Sequence, residues 1–119
     1  VELVELIDER FAIVKVPENI TVTSTQVAQV ADSLLEIDQV DASFVIGNSN
    51  GDIKLSARSL GNFNVQLIAE HFGGGGHHNN AAGIFIESNE IEEYYMLKEY
   101  LQNLTKGEND NESNLTWGC

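Results

Sequence analysis

The chain has 119 residues, with six Lys or Arg against 19 Asp or Glu and a formal charge of −13. That balance excludes the basic face that long duplex or single-stranded nucleic acid requires, yet leaves room for a small phosphorylated ligand in a locally positive pocket. The length fits one domain with one core. No apolar run reaches the ~18 residues of a membrane span, nothing resembles a signal peptide, and a lone cysteine, Cys119, excludes an intrachain disulfide.

Residues 1–9 are acidic and mixed, a leftover strand or a linker. Arg10 to Val16 is rich in β-branched and aromatic residues and predicts a strand closed by Pro17. Thr21, Thr23 and Ser24 are N-cap candidates for a helix from about Thr25 to Glu36, with Val27, Val30, Ala31, Leu34 and Leu35 as its apolar stripe. Ala42 to Gly47 predicts a second strand, and Asn50-Gly51 a hairpin turn. Ile53 to Arg58 returns antiparallel, with Ile53 and Leu55 on one face and Lys54, Ser56 and Arg58 on the other. Asn62 or Asn64 caps a short helix to about Phe72, whose stripe is Val65, Ile68, Ala69 and Phe72. Gly83 to Glu87 reads as another strand. A final helix follows, capped by Ser88 or Asn89 with Glu92 in a capping box and turning Tyr94, Leu97, Leu101 and Leu104 inward. Residues 105–119 are polar and acidic, and are expected to be disordered. The order strand, helix, strand, strand, helix, strand, helix predicts an α+β fold: a mixed four- to five-stranded sheet with helices packed on it.

Residues 73–83 read Gly-Gly-Gly-Gly-His-His-Asn-Asn-Ala-Ala-Gly. Glycine buries nothing and loses the most backbone entropy on folding, so four in a row serve conformation or close approach. Gly73, Gly74, Gly75 and Gly76, following a helix, would present backbone N–H groups in a curve suited to phosphate oxygens. His77 and His78 can donate hydrogen bonds and, when protonated, charge. Asn79 and Asn80 add neutral donors. The competing reading is a flexible surface loop.

Arg58 is one of two arginines and ends a strand on its polar face, ahead of the helix that feeds the glycine run. Its planar fork suits bidentate contact with phosphate. The alternative is a surface ion pair with one of the many carboxylates. Ser56, two residues earlier on the same face, could add a hydroxyl. Asn64 could contact ligand, although capping its helix is the simpler role. Adjacent His side chains diverge, and no spacing here matches a metal motif, so no metal is assigned to this chain. The glycine run lacks the Gly-Lys-Ser/Thr ending of a nucleotide P-loop. There is no Gly-x-Ser-x-Gly elbow, and Cys119 lies in a polar tail with nothing to activate it.

Ser56-Ala57-Arg58-Ser59-Leu60-Gly61, Asn64-Val65, Gly73-Gly74-Gly75-Gly76-His77 and Asn80-Ala81-Ala82 together resemble the C-terminal, DHH-associated domain of DHH-type phosphoesterases. Among these the cyclic-di-AMP phosphodiesterases of Gram-positive bacteria are the nearest in pattern, and the resemblance runs from about Arg10 to Leu104. It implies a substrate-binding domain of a manganese-dependent enzyme that opens cyclic-di-AMP to a linear dinucleotide. Arg58 and His77 would be phosphate ligands and Gly73 to Gly76 the backbone cradle. Ser56, Asn64 and Asn80 would be supporting contacts. The resemblance also implies that a preceding domain with an Asp-His-His motif holds the Mn2+ pair. Since this sequence has no such motif, the fragment alone would be inactive. The residue after His77 departs from the expected aliphatic side chain and is His78. Partners so implied are a cyclic dinucleotide or short oligonucleotide, the preceding domain, and a second copy in a homodimer. The enzyme would face the cytoplasm, with a membrane anchor in an N-terminal segment beyond this sequence as one arrangement. Alternatives in the family are oligoribonuclease or phosphoadenosine-phosphate phosphatase activity. A rival of another class is a tRNA-binding appendage, against which the charge argues.

Overall fold

The computed structural model describes residues 4–61, 63–85 and 90–109. Its elements are β1 (Val4–Ile7), β2 (Phe11–Lys15), α1 (Ser24–Leu34), β3 (Ala42–Ser49), β4 (Asp52–Ser59), α2 (Val65–His71), β5 (Gly75–His77), β6 (Asn80–Phe85) and α3 (Glu90–Asn109). The strands form one six-stranded sheet in the order β1-β2-β3-β4-β6-β5. β2 and β3 run parallel, joined through α1, and the other neighbours are antiparallel. The α+β architecture is as expected, with six strands instead of four or five.

The two additional strands have local causes. Residues 4–7 fold back on β2 through a turn in which Asp8 and Glu9 take positive φ, and Ile7 is buried opposite Phe11. Part of the glycine run is straightened into β5 by pairing with β6, which begins at Asn80, ahead of the strand expected from Gly83.

Strand alternation divides the core between the two faces of the sheet. On one face Phe11, Ile13, Phe44, Ile46, Leu55 and Ala57 pack with Ile68 of α2 and Leu97 and Leu101 of α3. On the other, Ala12, Val14 and Val45 pack beneath Val27, Ala31 and Leu34 of α1. Val30 is 39% exposed, because the buried stripe of α1 is narrower than its apolar positions suggested. Thr23 caps α1 in a full capping box with Gln26. The expected hairpin joins β3 and β4, with Ser49 paired to Asp52 across Asn50-Gly51. Tyr94 and Leu104 complete the inner face of α3. That helix continues to Asn109, into the segment expected to be disordered. The Ser88/Asn89 cap lies outside the described residues.

β1 is tied to α3 by side chains as well as by its ladder. Glu5 accepts from the Tyr94 hydroxyl and pairs with Lys98. The hydrogen bonds from Lys98 and then Tyr94 hold the Glu5 carboxyl below its ordinary value of 4.5. Burial, reinforced by the hydrogen bond to Glu5, pushes the Tyr94 phenol above its usual range. A depressed carboxyl contributes stability above its unfolded pKa and loses it as pH falls through the folded one. The midpoint of urea unfolding should therefore fall between about pH 5 and pH 3 more steeply in the wild type than in Glu5→Gln; identical slopes would show that the tether carries no linkage.

A cation-lined cleft beside the glycine hairpin

The site is set by cross-strand register. Arg58 on β4 lies directly opposite Asn80 on β6, which lies opposite His77 on β5. Directly opposed residues of antiparallel strands share a face, so the three side chains form one row. The next row on that face runs Ser56, Ala82, Gly75. This is the α1 side of the sheet, since Ser43 and Val45, the β3 partners of Arg58 and Ser56, lie beneath α1. α1 packs over β3 and β4, whereas Asn80, Ala82 and His77 farther out are exposed. The small residues Ser56, Ala82 and Gly75 thus make a low floor beside a row of hydrogen-bond donors.

A cleft of about 430 Å³ opens between the first turns of α1 and this face. Among the described residues, Lys54 and Arg58 are the charged ones lining it, and no carboxylate does. On a chain with 19 acidic residues and six basic ones, two of the six converge on one cavity. Ser24, Ser56 and Asn80 add neutral polar groups.

Arg58 is firmly held. Its Nε donates to Asp32 Oδ1 at 3.0 Å, and its Nη1 donates to Ser56 Oγ at 3.2 Å and to the Ala57 carbonyl at 3.0 Å. Only 14% of its side chain is exposed. The simple ion pair offered as an alternative at the sequence level is therefore present, and the same arginine also lines the cleft.

The four glycines divide into two pairs. The Gly73 N–H donates to the Glu70 carbonyl and the Gly74 N–H to the Ala69 carbonyl at 2.7 Å, so both amides close the C-terminus of α2. A Cβ on Gly74 would lie 2.2 Å from the Ala82 carbonyl oxygen, so only glycine lets the chain pass that close to β6. Gly75 and Gly76 belong to β5, an edge strand whose alternate amides point away from its partner. A Cβ on Gly75 would meet nothing within 4 Å. The row of free amides expected across all four positions is thereby confined to β5.

The other expected residues separate by role. Asn64 is buried and caps α2, accepting from the Gln66 N–H at 2.9 Å, away from the cleft. Asn79 is spent internally: its Nδ2 donates to Ser59 Oγ at 2.8 Å and to the Gly61 carbonyl at 3.1 Å. Its carbonyl accepts from the Ser59 N–H, and that of His78 from the Val65 N–H. These bonds latch the β5–β6 turn onto the connection between β4 and α2. Two residues, Lys54 in the cleft lining and Asp32 against Arg58, were not singled out in the sequence. Lys54 was legible from the Lys54, Ser56, Arg58 alternation; Asp32 approaches through the helix crossover, which carries no local signal. Among the described residues no three His, Cys, Asp or Glu side chains gather as a metal site, and no helix is long and apolar enough to cross a membrane.

Sheet, cleft and hairpin define an α+β domain whose exposed polar groups suit an anion. The chain belongs to the DHHA1 domain family, which matches residues 8–104. It is 40% identical over 103 residues to the cyclic-di-AMP phosphodiesterase GdpP of Geobacillus thermodenitrificans, covering 85% of this chain and 16% of that protein. It is 45% identical over 83 residues to the cyclic-di-AMP phosphodiesterase PdeA of Listeria monocytogenes, covering 69% and 13% respectively. The chain thus spans less than a fifth of either curated relative. Its fold is shared with an exopolyphosphatase-related protein from Bacteroides fragilis, at a TM-score of 0.69 and 24% identity, over 88% of this chain and 33% of that one.

The glycines should separate in stability measurements. Gly74→Ala forces a methyl onto the β6 backbone and should cost about 1–3 kcal/mol in urea unfolding. Gly75→Ala, with open space at its Cβ, should stay within about 0.5 kcal/mol of wild type. Equal losses at the two positions would contradict the division of the run.

Proposed function

We propose that this domain grips the phosphodiester of a cyclic dinucleotide, cyclic-di-AMP in the first instance, for a metal centre held by a preceding domain of the same enzyme. The observation that carries the reading is the row Arg58, Asn80, His77 beside Ser56, Ala82 and Gly75, of which Arg58, Asn80, Ser56 and Ala82 line a cleft that also holds Lys54 and, among the described residues, no carboxylate. Arginine and lysine supply charge where phosphate oxygens would sit, and the low floor leaves room for a sugar or base edge to approach the backbone. His77, exposed at the end of the row, is placed to donate a hydrogen bond to the same anion. Gly73 and Gly74 shape the hairpin, and β5 offers the ligand-facing amides.

The donor set here suits an anion and not a divalent cation, so the Mn2+ pair expected from the family would be held outside this chain. When bound it would supply the activated water. This chain's own residues bind and orient the phosphate and hold its charge. The relation to cyclic-di-AMP phosphodiesterases supports the choice of ligand, and short oligonucleotides and 3′-phosphoadenosine phosphate are the substrates to compare.

Amide NMR of the 119-residue chain titrated with cyclic-di-AMP should shift Gly75, His77, Asn80 and Arg58. No shift there at millimolar ligand would overturn the reading. In the enzyme that contains this domain, Arg58→Ala and His77→Ala should each lose roughly 2–4 kcal/mol of transition-state stabilisation in kcat/KM. Lys54→Gln should weaken binding and flatten its dependence on ionic strength; an unchanged salt dependence would remove Lys54 from the site.

A further inference from the structure

Asp32 stands outside the lining of the cleft, against Arg58, in a place that the helix alone does not explain. It lies near the C-terminal end of α1 (Ser24–Leu34), where a carboxylate faces the negative end of the helix dipole and where aspartate is a poor helix former. Its side chain is 63% exposed, so its ion pair with Arg58 is of the kind that adds little to stability. Its effect on the geometry of Arg58 is larger. An arginine has a long flexible stem, and fixing such a side chain on binding costs rotamer entropy. Asp32 Oδ1 takes Nε at 3.0 Å while Ser56 Oγ and the Ala57 carbonyl take Nη1 at 3.2 and 3.0 Å. Three acceptors from a helix and a strand thus fix the guanidinium plane before any ligand arrives. Among the described residues none takes Nη2, which remains the nitrogen with both protons to give.

We propose that Asp32 is the positioning residue of the cleft: it orients Arg58 so that Nη2 is presented to a phosphate oxygen of the ligand. The inference rests on the phosphate reading above. It makes a prediction opposite in sign to simple electrostatics. Removing an exposed carboxylate next to an anion site should, on charge alone, tighten anion binding whatever replaces it. If Asp32 positions Arg58, the replacement matters, because asparagine keeps an Oδ1 acceptor for Nε and alanine does not.

The test is the affinity of the 119-residue chain for cyclic-di-AMP, followed by amide NMR together with the Arg58 Nε–H resonance. Asp32→Ala should bind roughly 3- to 10-fold more weakly than wild type despite its lower negative charge, and its Nε–H should exchange faster with solvent. Asp32→Asn should restore binding to within about twofold of wild type or better, with Nε–H protection retained. In an Arg58→Ala background, Asp32→Ala should cost nothing further, since it acts through Arg58. Tighter binding by both Asp32 variants would overturn the proposal, as would a loss that persists without Arg58. Absence of binding by the wild type is a separate outcome that overturns the phosphate reading and this inference with it. Dispersed amide spectra identify any variant that fails to fold, and Asp32→Asn, isosteric and exposed, keeps the comparison decisive.

Discussion

β6 is paired on both sides, to β4 through six residue pairs and to β5 through three, and the rest of the cleft depends on that double register. Side chains alternate across a strand, so a slip of one residue in either ladder would send Asn80 or His77 to the face filled by α2 and α3. The register is in turn fixed by backbone contact. Gly74 lies against Ala82 and Gly83 at a distance no side chain would permit, and the Asn79 side chain fastens the turn to Ser59 and Gly61. Ser59 also donates to the Phe63 carbonyl, so the start of α2 and the tip of the hairpin share one small polar hub. The alignment of these three side chains on one face is bought with glycines and asparagines that lie outside the row.

Electrostatics sharpens this arrangement. A chain of net charge −13 repels polyanions at long range, and screening limits the reach of any one charge to about 8–10 Å. A cavity lined by Lys54 and Arg58 can still hold one compact anion, because the field inside is set by the nearest groups. Asp32 tempers that field at Arg58, whose Nε donates to its Oδ1.

Much of the fold was legible in the sequence because its signals are periodic. Alternation placed Lys54, Ser56 and Arg58 on one face and Ile53 and Leu55 on the other. Asn50-Gly51 marked the hairpin, and helical spacing found Leu97 and Leu101. β5 was hidden because three residues, two of them glycine, carry no alternation, and their strand character comes entirely from the neighbour they pair with. β1 was blurred by its acidic surroundings. At the site, Arg58, Ser56 and Asn80 were found from residue type and position and do line the cleft. What sequence could not give was the use of each amide. Four identical glycines look alike until the C-terminus of α2 claims two of their N–H groups. Asp32 stayed invisible because it meets Arg58 across 26 residues of chain.

Beside the cleft the sheet ends in a very short strand, the three residues of β5. Sheet margins are where foreign chains most readily add themselves, since unpaired amides there invite a further strand. A margin this brief, and made largely of glycine, gives an incoming segment too few rungs to grip. The domain can thus hold an open, solvent-washed rim next to its cleft without seeding fibrillar stacking, a freedom that a longer and more regular border would forfeit.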